Sequence, residues 1–352
     1  MNKRIYNYSS ASLYGIVHAL VDCACAIGIF GGIGDDTVGF AYVVALYNLI
    51  AFVFQPIIGW YADWVNKYRM LAFLGCALVI LGLCISPFSW VAIGVFGLGN
   101  ALFHVAAGAI CLNMEEQKIV FAGIFVAPGD IGLMAGTLIG KSADLSLVHI
   151  IALGAMFSVM VILILAIDSA NKNACEVHAQ SVKVEREYIG LTTMLFSIVI
   201  TVRAFIGATL SFSWVNGAFL VMVLAIFVSV GKAAGGLIAD KIGSRPAGAT
   251  ALLIAAPLLA FFPASIVTSL AGILLFNMTM PITMTAIFRK MPKSPAFSFG
   301  IAAMALIPGF YAGNIISVSA GLLLLIIIIT AALLYYALRL SEKREGDKNE
   351  EA

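Results

Sequence analysis

Apolar residues along this chain come in long, unbroken blocks. Blocks of about 20 residues, each able to cross a hydrocarbon core about 30 Å thick as a helix, fall at 12–31, 39–61, 70–88, 90–113, 119–140 and 147–167. A second set falls at 190–212, 216–239, 246–263, 266–287, 296–314 and 317–339. A membrane barrel would instead need short segments of alternating polarity. The pattern predicts an all-α membrane protein with twelve transmembrane helices. Separators such as Gly31–Gly39, with Asp35 and Asp36, and Asp63–Arg69 are well marked. Those at 86–90 and 314–317 are very short, which leaves eleven as the alternative count. The first block starts near Ser12 and is too long for a signal-peptide core, so no cleavable leader is expected.

Polar residues add a direction. With the N-terminus inside, alternate loops collect the cations Lys3, Arg4, Lys67, Arg69, Lys118, Lys172, Lys183, Arg186, Lys241, Arg245, Arg289, Lys290, Lys293, Arg339, Lys343, Arg344 and Lys348. Only Lys141 falls outside, while Arg203 and Lys232 lie within blocks. This bias is what the positive-inside rule requires of cytoplasmic loops. It places both termini in the cytoplasm, predicts a multi-pass protein of the plasma membrane, and favours an even span count. The long polar stretch between Asp168 and Glu187 reads as a cytoplasmic linker. The expected organisation is a six-helix bundle over 1–168, a linker over 169–189, a second six-helix bundle over 190–341 and a charged tail over 342–352.

Composition agrees. Hydrophobic residues make up 62% of the chain and charged residues 11%, against about 25% charged in soluble domains. The six cysteines lack the paired spacing of a metal site and suit small apolar positions within spans. No metal or cofactor is expected. The net charge of +2 gives no reason to expect nucleic acid as a partner. The expected partners are the bilayer, a small-molecule solute and a coupling ion, with the protein a monomer.

One loop occurs twice. The first copy runs Gly59-Trp-Tyr-Ala-Asp63 and continues to Lys67 and Arg69. The second runs Gly236-Leu-Ile-Ala-Asp240 and continues through Lys241 to Arg245. Each joins the second and third blocks of its half, about half the chain apart. The glycine lets helices approach closely. The aspartate can accept from a helix N-terminus, whose dipole favours negative charge. Parallel repeats of this kind are a transporter architecture. The loop resembles the signature loop of the major facilitator superfamily, Asp240-Lys-Ile-Gly-Ser-Arg245 being the closer copy. In the first copy Trp64 and Asn66 stand where that family usually has a basic residue and a glycine. The resemblance covers essentially the whole chain. It implies the major facilitator fold, with two pseudo-symmetric six-helix bundles and transport by alternating access. A finer resemblance, to the fosmidomycin-resistance branch, rests on His18-Ala-Leu-Val-Asp22, on Gly99-Asn-Ala-Leu-Phe-His104 and on Arg203. It implies drug efflux by proton antiport. Antiporters of the family carry Gly-Pro in the fifth span, whereas this chain has Pro128-Gly129.

Ionisable residues inside a membrane are costly and mark function or buried pairing. His18 and Asp22 are four apart and so share one helix face. At 1.5 Å per residue, Asp22 lies about 15 Å from the cytoplasmic edge, Asp130 about 16 Å and Arg203 about 20 Å, near the midplane where transporters bind solute. In the resembled fold, the first, fourth, seventh and tenth spans line the cavity. This gives Asp22, His18 and Asp130 as proton-coupling candidates, and Arg203, His104, Asn100 and Asn277 as solute-binding candidates. Gly59, Asp63, Lys67, Arg69, Gly236, Asp240, Lys241 and Arg245 form the gating loops. The residues alone leave alternatives open. Asp22 and Arg203 can form a fixed ion pair, the histidines can be packing residues, and Lys232 can snorkel to water. Gly132, Gly136 and Gly140 make a stripe suited to close helix packing. Asn48, Gln55, Tyr311 and Asn314 rank lower as cavity residues.

The reading is a secondary transporter, not an enzyme. Its rivals are an intramembrane aspartyl protease using Asp22 and Asp130, and a non-transporting receptor. The nearest approach to a Gly-x-Gly-Asp element is Ala127-Pro-Gly-Asp130, no serine-hydrolase or zinc-protease motif occurs, and no loop is large enough for a receptor domain.

Overall fold

The computed structural model describes residues 3–31, 37–85, 89–115, 118–142, 154, 158 and 189–346. Every regular element among them is helical. In hydrocarbon each backbone N–H and C=O must find its partner within the segment, and a helix is the way to achieve it. Among the described residues, ten helices are long and apolar enough to cross a membrane, and an eleventh, Tyr68–Cys84, is apolar but shorter. Apart from residues 154 and 158, the expected span at 147–167 lies outside the described residues, as do most of the expected linker and the end of the tail.

Helix α1 (Lys3–Gly31) begins well before the expected start at residue 12. Its polar first turns are kept in the helix by packing, since Asn7 and Ser10 are buried within the protein. The second block is α2 (Thr37–Asn48), which passes through a π-helical turn (Leu49–Val53) into α3 (Gln55–Val65). Next come α4 (Tyr68–Cys84), α5 (Ser89–Leu112) and α6 (Ile119–Ser142). After the undescribed stretch follow α7 (Ile189–Thr209), α8 (Gly217–Ile242) and α9 (Ser244–Phe261). The block at 266–287 bends at Met278 between α10 (Ile266–Asn277) and α11 (Thr279–Lys290). The block at 296–314 bends at Ala305 between α12 (Pro295–Met304) and α13 (Leu306–Ile315). Helix α14 (Ala320–Gly346) ends the described chain.

The chain forms two compact units. One comprises residues 1–116, 124–178 and 294–300. In it α5 is the most enclosed span, largely buried where the α2–α3 span is mostly not. Glycine and alanine make that enclosure possible. Gly99 on α5 lies against the backbone of Gly75 on α4, and Gly108 leaves room for the Phe299 ring. The stripe Gly132, Gly136 and Gly140 of α6 faces Ala19, Cys23 and Phe30 of α1, so the two backbones run in close contact. Pro128 lies inside α6 without ending it. The carbonyl of Ile124, one turn before the proline and without its helical N–H donor, points at Gly15 of α1.

The other unit comprises residues 117–123, 179–293 and 301–352. Here α10 packs on α8 and α9, α14 on α9 and α7, and α13 on α7. The α7–α13 contact again uses glycines, Gly309 and Gly313 lying on the backbone of Thr201 and Phe205.

Candidate functional site: an Asp–His–His cluster and two helix clasps

Four of the candidate residues meet in the first unit. His18 and Asp22 come from α1, and Asn100 and His104 from α5. Both pairs are four residues apart, so each helix presents two polar groups on one face. The Nδ1 of His18 lies 2.9 Å from the carbonyl of Phe125 on α6, and the Nδ1 of His104 lies 2.8 Å from the carbonyl of Asn100. A carbonyl only accepts, so both Nδ1 atoms carry hydrogen and donate. The two Nε2 atoms stand 2.7 Å apart. A hydrogen bond at that distance needs a proton between them, and the ring that donates it would carry hydrogen on both nitrogens and one positive charge.

Asp22 answers that charge. Its carboxylate lies 3.1 Å from His18 Nε2 and 3.6 Å from His104 Nε2, and it accepts from Asn100 Nδ2 at 3.0 Å. The surroundings are apolar. The His18 ring stacks on Phe125 at 4.8 Å, and the rings of Phe103 and Phe299 close around the pair. Both histidines are 6% exposed. Charges so placed interact more strongly than in water. Gly129 lets the α6 backbone press against the cluster: a Cβ there would stand 2.6 Å from His18 Nε2 and 3.0 Å from Asp22 Oδ2. Asp130 follows it on α6, half-buried.

Arg203 and Asn277 belong to the second unit. The Arg203 guanidinium is buried, lies 5.2 Å from the Phe276 ring centre, and has Nη2 3.5 Å from the Phe276 carbonyl and Nη1 3.7 Å from Met280 Sδ. Asn277 donates to the Ile273 carbonyl of its own helix at 2.9 Å. Lys232 of α8 is half-buried. Of the lower-ranked residues, Gln55 and Asn314 each donate to a carbonyl four residues earlier, which is local helix bonding.

The duplicated loop is a duplicated structure. Asp63 accepts from the backbone N–H groups of Ala296 and Phe297, both at 2.9 Å, at the start of α12. Asp240 accepts from those of Ile119 and Val120, both at 2.9 Å, at the start of α6. The first turn of a helix has N–H groups without intrahelical partners, and its dipole favours an anion. Four residues before each aspartate the glycine admits the same helix start: Gly59 meets the backbone of Ala296, and Gly236 that of Ile119 and Val120. Lys67 and Lys241 are exposed, while Arg69 and Arg245 are half-buried.

Three residues after each aspartate the backbone turns to positive φ. Gly243 takes φ 92°, ψ 151°, a region almost restricted to glycine. Asn66 takes φ 52°, ψ 32°, the left-handed conformation that asparagine tolerates best after glycine. The departure at Asn66 therefore keeps the turn. Sequence reasoning missed Tyr68, whose hydroxyl donates to Asp63 at 2.8 Å. Its position just after the loop's basic residue was the available signal. It also missed Gly129 as a cluster residue, since beside Pro128 it reads as part of a helix break.

No protein-family profile and no curated protein matches the sequence. Solved structures do match. A variant of the Escherichia coli fucose:proton symporter FucP superposes with a TM-score of 0.66 at 11% identity, over 96% of this chain and 99% of that one. FucP in the outward conformation, described as a major facilitator superfamily transporter, gives 0.58 at 12% identity, over 94% and 99%. The human organic anion transporter MFSD10 (TETRAN) gives 0.64 at 13% identity, over 97% and 100%. An all-helical chain with a twice-used aspartate clasp, superposing along nearly its whole length on these transporters, has the major facilitator fold.

Proposed function

We propose that this protein is a proton-coupled secondary transporter that moves a small solute by alternating access. The architecture in this reading is twelve spans in two pseudo-symmetric six-helix bundles, monomeric, in the plasma membrane with both termini cytoplasmic. The observation that carries the reading is the duplicated clasp. Two matched loops each hold a helix start from the other half of the sequence through a single carboxylate. Such a contact is strong enough to favour one state and small enough to be released, which a gate requires.

The Asp22–His18–His104 cluster supplies the coupling ion's place. Its short Nε2–Nε2 contact requires a proton, and Asp22 balances it. Asp130, on α6 beside Gly129, is the other carboxylate of that neighbourhood. Arg203, with Asn277 nearby in sequence to its Phe276 partner, suits an anionic or zwitterionic solute. The likeness to a sugar:proton symporter and to an organic anion transporter is consistent with that chemistry. Efflux of drugs is the alternative direction and cargo.

The test is solute transport in proteoliposomes with and without an imposed pH gradient. The parent concentrates solute under the gradient, and Asp22→Asn loses accumulation while keeping gradient-free counterflow in part. Accumulation by Asp22→Asn equal to the parent's would remove Asp22 from coupling and bring Asp130 forward.

A further inference from the structure

We infer that His18, His104 and Asp22 form a binding site for a divalent transition-metal ion of the zinc class. The inference concerns the same cluster as the coupling reading but stands on its geometry alone. The chemistry is in the hydrogen bonds. Both Nδ1–H groups are committed to the carbonyls of Phe125 and Asn100, which directs both Nε2 lone pairs toward one point. An Nδ1–H held by a backbone carbonyl is the outer-shell arrangement that orients metal-binding histidines. One ligand atom from each of the two histidines and from Asp22 lies within 4.8 Å of the others. Two imidazoles and a carboxylate are a donor set for zinc and its neighbours rather than for magnesium or calcium.

A further observation points to a ligand at this place. Asn100 is completely buried and donates to Asp22 through Nδ2, yet among the described residues its Oδ1 finds no hydrogen-bond donor. A buried orphan acceptor beside a convergent donor set suits an ion or an ion-bound water. Metal–nitrogen bonds of about 2.0–2.1 Å at a tetrahedral angle need the two Nε2 atoms about 3.3 Å apart. The present 2.7 Å separation means the rings part by roughly 0.6 Å as the metal enters. Sequence spacing gave no hint of such a site, because the ligands come from two helices far apart in the chain.

The experiment is Co²⁺ titration of the purified, tag-free full chain in detergent, followed by visible ligand-field absorption. The expected result is an intense low-coordinate spectrum saturating at one equivalent, abolished by Zn²⁺ and absent in both His18→Gln and His104→Gln. A third variant, His104→Cys, replaces nitrogen by thiolate, so it should keep binding and add a sulfur-to-cobalt charge-transfer band, a signature that misfolding cannot produce. No spectrum in the parent overturns the inference. So does a spectrum unchanged in both glutamine variants. Neither outcome bears on whether the protein transports a solute under a pH gradient, which is measured without metal.

Discussion

The carbonyls of Phe125 and Asn100 settle the roles of the two histidines. They take both Nδ1 protons and leave the Nε2 atoms to share one more. The pairing of His18 with Asp22 was legible as a four-residue spacing, and His104 as a solute-binding candidate on the fourth span. The carbonyl partners were not, because a backbone acceptor on another helix leaves no mark in the side-chain pattern. Two predictions belong at this scale. Gly129→Ala pushes a methyl group against the His18 ring and the Asp22 carboxylate, an overpacking cost of about 1–3 kcal/mol. It should lower the melting temperature and weaken pH-driven accumulation together; a variant as stable and as well coupled as the parent would show that the close approach at 129 is not needed. His18→Ala should be milder than Asp22→Asn in the same transport assay, because water in an opened cavity can replace a relay group but not the carboxylate. Equal losses in the two variants would make His18 an indispensable carrier.

At the scale of elements, the two clasps share a construction: a glycine for approach, an aspartate for the helix start and a positive-φ residue to turn the chain. The glycine, the aspartate and their repetition could be read directly from the sequence. The targets at Ala296 and Ile119 could not, since they lie 233 and 121 residues from their aspartates. The breaks at Met278 and Ala305 had a signal that went unused, since each comes three residues before a proline, Pro281 and Pro308, which removes a helical N–H donor. The turn residues give a graded prediction. Asn66→Gly should be tolerated, whereas Asn66→Val should cost about 1–2 kcal/mol for left-handed backbone on a branched residue. Gly243→Ala should cost about 1–3 kcal/mol, since its φ and ψ suit glycine alone. Thermal unfolding of the three variants measures the order, and a stable Asn66→Val protein would mean that the loop can reorganise.

For the molecule as a whole, the proposed alternating access would make the clasps two terms in one equilibrium between access states. Removing either charge, as in Asp63→Asn or Asp240→Asn, leaves two helix N–H groups with a weaker acceptor, a loss of about 1–2 kcal/mol in the state that holds the clasp. That corresponds to a change of roughly 5- to 30-fold in the population ratio. Accessibility labelling of introduced cavity cysteines should therefore shift in both variants, and in the double variant the two fold-changes should multiply if the clasps are energetically independent. A lack of shift in either single variant would reduce the loops to topology signals. The membrane class, the duplicated loop and the pattern of spans were readable because bilayer thickness and charge placement act on sequence directly. The grouping of residues 294–300 with the first unit and 117–123 with the second was not, because it depends on which helix start each aspartate holds.

The clasps also impose an order on biosynthesis. When the ribosome has made the first half, Asp63 has emerged but Ala296 and Phe297 have not, so of its donors only the Tyr68 hydroxyl is at hand. Ile119 and Val120 wait in the same way for Asp240. The second half, as it emerges, finds a finished partner for its aspartate, and then delivers the partner that Asp63 has lacked. Neither half can complete its own hydrogen bonding while the other is missing. A chain truncated in the linker should therefore insert but remain open to proteases at the Asp63 loop, and supplying residues 190–352 as a separate polypeptide should restore protection there.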